Sequence, residues 1–231
     1  MKSAVVGCGN ISRFHFNSII ANPLAELTAI CDVNGGLAES RAKQYGLSDY
    51  YTSVDELLEK ESIDVLHVLT PPKYHSEVAV KALNKGIHVL VEKPMTTSVK
   101  EADDMIKAAE ANNVKLCVNH NMLYDPTFIK ARDIVNSFDF GELLHADAFF
   151  AFDTRRVIGT RGLEGTWLRD LKGHFLQDLL PHPVCMLLEF MRDFEKSYII
   201  RKEPGGKDKL KEEVRVLLDS KKITGSVTLS L

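Results

Sequence analysis

Lys93, Asp178 and His182 are the side chains best placed to do chemistry in this sequence. Lys93 lies in His88-Val-Leu-Val-Glu92-Lys93-Pro94, where an apolar run of strand type stops on two charges and a proline. A lysine held by a rigid strand end can carry its cation into a cleft at the carboxyl edge of a sheet, which makes Lys93 a candidate for chemistry. Alone, the segment reads more simply as a surface lysine, because lysines are mostly exposed. Asp178 and His182 are four positions apart, so one helical turn would bring them together. Imidazole titrates near neutral pH and suits a general base. Pro181 and Pro183 disturb a helix there, and alone the pair reads as ordinary surface polar residues. His174 could extend it toward a metal site. No second cluster supplies the remaining ligands, so no metal is expected.

The N-terminus carries a second signal. Val5-Val-Gly7-Cys8-Gly9-Asn10-Ile11-Ser12 runs from an apolar strand through a glycine turn into a helix. Gly7 permits the tight turn, and Gly9 lets a pyrophosphate approach the backbone at a helix N-terminus. Ser12 stands where the usual fingerprint has a third glycine, and it is small enough for close helix–strand packing. Asp32 ends the next strand, at the distance from the turn expected of a ribose-binding carboxylate. With Val33 and Asn34 after it and no adjacent arginine, it favours NAD over NADP. Thr70-Pro71-Pro72-Lys73-Tyr74-His75 stiffens another loop at a strand end. That loop reads as a wall beside a nicotinamide, as a helix entry, or as both.

These residues need a scaffold. Strands are expected at Ser3–Val6, Glu26–Cys31, Val65–Leu69, His88–Val91 and Lys115–Val118. Helices are expected near 11–21, 37–45, 54–60, 75–85 and 99–112, with capping boxes Ser53/Glu56 and Ser98/Glu101. Alternation of this kind is the mark of a parallel α/β sheet, with ligands at the carboxyl ends of its strands. A boundary near residue 121 divides a dinucleotide-binding domain, 1–121, from an α+β domain, 122–231. The latter has a connecting helix (125–137), a strand (Glu142–Phe152), a helical stretch (178–192) and strands at Ser197–Arg201, Glu213–Asp219 and Thr224–Leu231. Between them, residues 155–172 carry Arg155, Arg156, Arg161, Arg169 and Lys172 against Glu164 and Asp170. This loop could meet an acidic or nucleotide-linked sugar, or simply be solvated. The chain stops inside an alternating pattern, so a partner covers the sheet or the domain is shortened.

Composition narrows the class. The 231 residues are 45% hydrophobic and 26% charged, with a net charge of -3, as in an ordinary globular protein. Nothing suggests a nucleic-acid partner. No apolar run is long enough to span a bilayer, and residues 1–6 are too short for a signal peptide. Cys8, Cys31, Cys117 and Cys185 are scattered without a CxxC pair, which suggests a reducing, cytoplasmic setting.

Taken together, Gly7-Cys8-Gly9-Asn10-Ile11, Cys31-Asp32, Thr70-Pro71-Pro72 with His75, Glu92-Lys93-Pro94, Asn121 with Pro126, Trp167-Leu168-Arg169, and Asp178 with His182 resemble the Gfo/Idh/MocA oxidoreductases. The resemblance covers nearly the whole chain. It implies a Rossmann domain followed by an open antiparallel sheet flanked by helices, here truncated, which usually mediates homodimers or homotetramers. It implies hydride transfer between NAD and a secondary alcohol of a sugar, cyclitol or sugar acid. A glycosidase or lyase that uses NAD, or a non-catalytic NAD-binding regulator, is the alternative. By the same resemblance Lys93, Asp178 and His182 are catalytic. Gly7, Gly9, Asn10, Ile11, Asp32, Thr70, Pro71, His75, Glu92, Lys93 and Asn121 surround the cofactor, with Glu92 helping to set the lysine loop. Two departures, His174 after Gly173 and Leu180-Pro181 between the Asp and His, point to an altered substrate pocket.

Overall fold

The structure is a computed structural model that describes residues 1–137, 139–153, 167–171, 174–191, 193–202 and 212–231. Most of the basic loop 155–172, Gly173 and the turn at 203–209 lie outside the described residues. The chain divides into two compact units, Met1–Asn119 and His120–Leu231.

In the first unit, strands β1 (Lys2–Val6), β2 (Glu26–Cys31), β3 (Val65–Val68), β4 (His88–Val91) and β5 (Leu116–Val118) form one sheet in the order β2-β1-β3-β4-β5. Every pairing is parallel. The strands are apolar on both faces because helices cover both. Leu66, Val68, Val89 and Val91 join one core cluster with Leu83 and Met105. Val5 and Ile30 face the other way, against Phe16 and Ile19. Phe16, fully enclosed, contributes roughly 2–3 kcal/mol by burial. The helices are α1 (Ser12–Ala21), α2 (Gly35–Gln44), α3 (Val54–Lys60), α4 (His75–Leu83) and α5 (Val99–Ala111). Asn34, Ser53 and Ser98 cap α2, α3 and α5 by accepting a backbone N–H. Strand order reverses between β1 and β3, which opens a crevice at their carboxyl ends.

The second unit contains α6 (Pro126–Val135), β6 (His145–Ala151), α7 (His174–Leu179), α8 (Pro181–Leu188), β7 (Lys196–Lys202), β8 (Glu213–Asp219) and β9 (Thr224–Ser230). The sheet order is β6-β9-β8-β7. The expected open antiparallel sheet needs one correction: β6 pairs with β9 in parallel. Two strands so far apart in sequence are joined by a crossover rather than a hairpin, which permits the same direction. Among the described residues, β9 is interior and the edges are β6 and β7. One face packs Val214, Val216, Leu218, Val227 and Leu229 against Leu179, Leu187 and Met191. The expected single helix over 178–192 is two, with α7 ending before Pro181, which has no N–H to continue the ladder.

Candidate active site

The glycine turn is built around two backbones that nearly touch. Gly7 has φ +101, and a Cβ there would lie 2.7 Å from the carbonyl carbon of Leu69, at the exit of β3. Its N–H donates to Cys31 O at 2.8 Å, which ties the turn to β2. Gly9 has open space above it instead. Ser12 is fully buried, and its hydroxyl donates to Gly9 O at 2.7 Å. The missing third glycine is thus replaced by a side chain that the turn absorbs. Helix α1 has no side-chain cap, leaving its N-terminal end suited to a phosphate. Asn10 and Ile11 are exposed beside it.

Asp32 is fixed by the same turn. Its Oδ2 accepts the Cys8 N–H at 2.7 Å and its Oδ1 accepts the Asn34 N–H at 2.8 Å. An ionised carboxylate has about four acceptor positions, so two remain for ribose hydroxyls. Burial, then the Asp32 charge, pushes the Cys8 thiol up to about 12. Cys8 therefore packs rather than reacts. Thr70 Oγ1 is buried at the same carboxyl edge with no hydrogen-bond partner, so a bound group there would satisfy it. The open Gly9, the uncapped helix, the spare lone pairs of Asp32 and the Thr70 hydroxyl fit a dinucleotide.

Lys93 is the second residue after β4 and is half-buried; its peptide bond to Pro94 is cis. Glu92 is 8% exposed. Its Oε1 receives His15 Nε2 at 2.9 Å and Asn119 Nδ2 at 2.6 Å, and its Oε2 accepts the Lys93 N–H at 3.2 Å. His15 Nδ1 in turn lies 3.0 Å from His67 Nδ1. Burial pushes the Glu92 carboxyl up, but donation from His15 and Asn119 outweighs it and holds the group below the usual carboxylate range. Burial, then the His15 charge, pushes His67 down to about 4.

His75, expected among the cofactor contacts, is fully enclosed, at 0% exposed. Its Nε2 sits 2.6 Å from Thr70 O, and its Nδ1 lies 3.1 Å from Pro94 O and 3.2 Å from Met95 O. The ring ties the Thr70 loop to the lysine loop and shapes both. Burial lowers its pKa, against the pull of those carbonyls. Pro71 caps the short turn Pro72–Tyr74 that leads into α4.

Asp178 and His182 belong to the second unit. Hydrogen bonds from Leu180 N to Leu176 O (2.9 Å) and from Val184 N to Leu180 O (3.2 Å) cross the break between α7 and α8. The one-turn register of Asp178 and His182 therefore survives Pro181. His182 is buried, its ring stacked on Phe150 with centroids 6.1 Å apart. Asn121 opens a short exposed turn, Asn121–Tyr124, in this unit. A separate cleft of about 880 Å³ is lined by Arg132, Glu189, Phe190, Phe194, Lys221 and Ile223 among others, and by none of the expected site residues. Its charges are largely matched internally, Arg132 to Glu189 and Lys221 to Glu195, each at 3.5 Å.

Sequence reasoning missed His15, His67 and Asn119. Asn119 is the first residue after β5, so the strand-end rule that singles out Lys93 would have found it. His67 is a lone imidazole inside Val65-Leu66-His67-Val68, an unusual guest in an apolar strand.

Residues 1–120 match the Gfo/Idh/MocA model, the oxidoreductase family with an NAD-binding Rossmann fold. The chain belongs to this family. An uncharacterised oxidoreductase of Schizosaccharomyces pombe is 34% identical over 153 residues, covering 65% of this chain and 42% of that protein. Glucose-6-phosphate 3-dehydrogenase of Bacillus subtilis is 30% identical over 225 residues, 94% of this chain and 61% of the enzyme. Among solved structures, the WlbA dehydrogenase of Bordetella pertussis, in complex with NADH and UDP-GlcNAcA, superposes with a TM-score of 0.83. It shares 23% identity, over 99% of this chain and 66% of WlbA. The fold of this family member is therefore established over both units, and the chain spans only part of the length of these relatives. Among the described residues, no helix is long and apolar enough to cross a membrane.

Proposed function

We propose that this protein uses NAD to oxidise a secondary alcohol of a sugar or cyclitol, or runs the reverse reduction. The observation that carries the reading is the strand-end geometry: Lys93 leaves β4 at the edge where the glycine turn and Asp32 lie, and a buried Glu92 holds its backbone. Asp32 would hold the adenosine ribose, the turn and the α1 N-terminus would hold the pyrophosphate, and Thr70 and Pro71 would form a wall beside the nicotinamide. The cofactor supplies the hydride-accepting ring, and the protein supplies orientation and charge. Lys93, as a cation, stabilises the developing alkoxide. His182 removes the hydroxyl proton, and Asp178 orients it or a neighbouring hydroxyl.

The family match and the sugar-phosphate specificity of the B. subtilis relative support the substrate class. Asp32 supports NAD over NADP, because a 2′-phosphate would meet its carboxylate. The sheet face of the second unit supports self-association. Phe149, Tyr198, Ile200 and Leu217 are exposed on the side away from the helices, and a second copy of the chain covers them. The test of function is a panel of sugars, cyclitols and uronic acids assayed for NADH. Lys93→Ala is expected to abolish turnover while NAD still binds; near-normal turnover would remove Lys93 from the mechanism.

A further inference from the structure

Beneath Lys93 runs a chain of polar groups, buried at His15 and Glu92 and half-buried at His67 and Asn119, that the proposed hydride chemistry does not use. It starts at His67 in β3, passes through His15 in α1, and reaches Glu92 at the end of β4, where Asn119 joins it. We propose that His15 and His67 are positioning residues that hold the Glu92 carboxylate and, through it, the backbone setting of Lys93. This rests on reading Lys93 as the group that meets substrate.

The argument is one of hydrogen-bond capacity. An ionised carboxylate only accepts. His15 Nε2, 2.9 Å from Glu92 Oε1, therefore carries a proton. When the ring is neutral its Nδ1 must accept, and His67 Nδ1 donates across the 3.0 Å contact. When the ring is protonated its Nδ1 donates, and His67 takes the other tautomer. Both states satisfy the same geometry, so the support of Glu92 survives protonation of His15. Among the described residues, the titratable groups that interact with this network are His15, His67, Glu92 and Lys93, with His75 on α4 close enough to feel Glu92.

The network earns its place by what its loss would do. Without His15, Glu92 Oε1 keeps Asn119 alone, and a buried carboxylate short of donors is costly. The relief is for the strand end to shift toward water, and the amide that Glu92 Oε2 holds is that of Lys93. His15 also sits in the first turns of α1, directly after the glycine turn. One helix thus braces both the cofactor loop and the lysine loop. An aliphatic residue at position 67 would pack with Val5 and Leu90, its strand neighbours, and would leave His15 Nδ1 unsupported.

The experiment is amide hydrogen exchange on the whole 231-residue chain, read at Lys93. In His15→Phe, Lys93 exchange is expected to rise at least about tenfold, the scale of one charge-assisted hydrogen bond, while Val5 and Val6 in β1 stay unchanged. In His15→Gln, whose amide still donates to Glu92, it should stay within about threefold of the parent. An unchanged Lys93 rate in His15→Phe, or an equal rise across β1, overturns the proposal. Nitrogen-15 spectra of the imidazoles give a second reading: a bare His15 Nε2 at neutral pH overturns it, and a protonated one supports it. In turnover assays His15→Phe should lower kcat with KM for NAD unchanged, and His15→Gln should restore it. If the parent chain makes no NADH from any substrate, the dehydrogenase reading fails while the exchange result still decides the positioning role.

Discussion

The Cβ that Gly7 lacks would lie 2.7 Å from both the carbonyl carbon and the carbonyl oxygen of Leu69. Backbone meets backbone there, so no side chain can swing aside. With φ at +101, an L-residue adds its own strain, roughly 1–3 kcal/mol. Gly7→Ala is expected to lower the urea midpoint sharply. Gly9→Ala meets nothing within 4 Å and should leave the unfolding free energy within about 0.5 kcal/mol of the parent, yet weaken NAD binding. Equal destabilisation by the two would show that the turn serves packing alone.

Asp32 separates two roles that one carboxylate performs. It receives the Cys8 and Asn34 amides, and it keeps lone pairs for ribose. Asp32→Ala should weaken NADH binding by roughly 10- to 100-fold, since hydrogen bonds to charged groups contribute about 1.5–3 kcal/mol. NADPH should lose far less, because the carboxylate that repels its phosphate goes too. Fluorescence titration of both nucleotides reads the difference, and parallel losses would contradict the assignment.

Much of this scaffold was legible because local pattern encodes it. The strand Glu26–Cys31 and helix Val54–Lys60 lie where apolar runs and the Ser53 cap place them. Lys93 was found from the abrupt end of an apolar run. What sequence could not show was pairing over distance. His15 meets Glu92 across 77 positions and His67 across 52, and nothing in the neighbourhood of either histidine announces its partner. Alternation in β6 and β9 gave their faces but not their direction. The enclosure of His75 was hidden for the same reason, because its partners Pro94 and Met95 belong to another loop.

The depressed histidines make folding stability depend on pH with a definite sign. His67 titrates near 4 when folded and near 6.5 when unfolded. Between those values the unfolded chain binds more protons, so stability is lost as pH falls from about 6.5 toward 4. His75, also lowered, adds a slope of the same sign, and Glu92, held low, adds one at more acidic pH. His67→Leu should flatten part of the decline in urea midpoint over this window and leave the share of His75. An unchanged profile would mean that His67 is not desolvated in the folded chain.

The open face of the second sheet carries the last expectation. Register places Phe149 opposite Thr228, Thr228 opposite Arg215, and Arg215 opposite Ile200. The adjacent row runs from Asp147 through Ser226 and Leu217 to Tyr198. Phe149 is 71% exposed and Tyr198 55%, and apolar groups gathered on one solvent-facing sheet favour association over hydration. Four polar neighbours, Asp147, Ser226, Thr228 and Arg215, give that face hydrogen-bonding specificity as well as area. Phe149→Glu with Leu217→Glu would bury two carboxylates without partners in a self-associated form, which is strongly unfavourable. Light scattering should therefore show the parent chain as an oligomer and the double variant as a monomer, with the helix-packed core residues Val216 and Val227 untouched. A parent chain that is monomeric at micromolar concentration would remove self-association through this face.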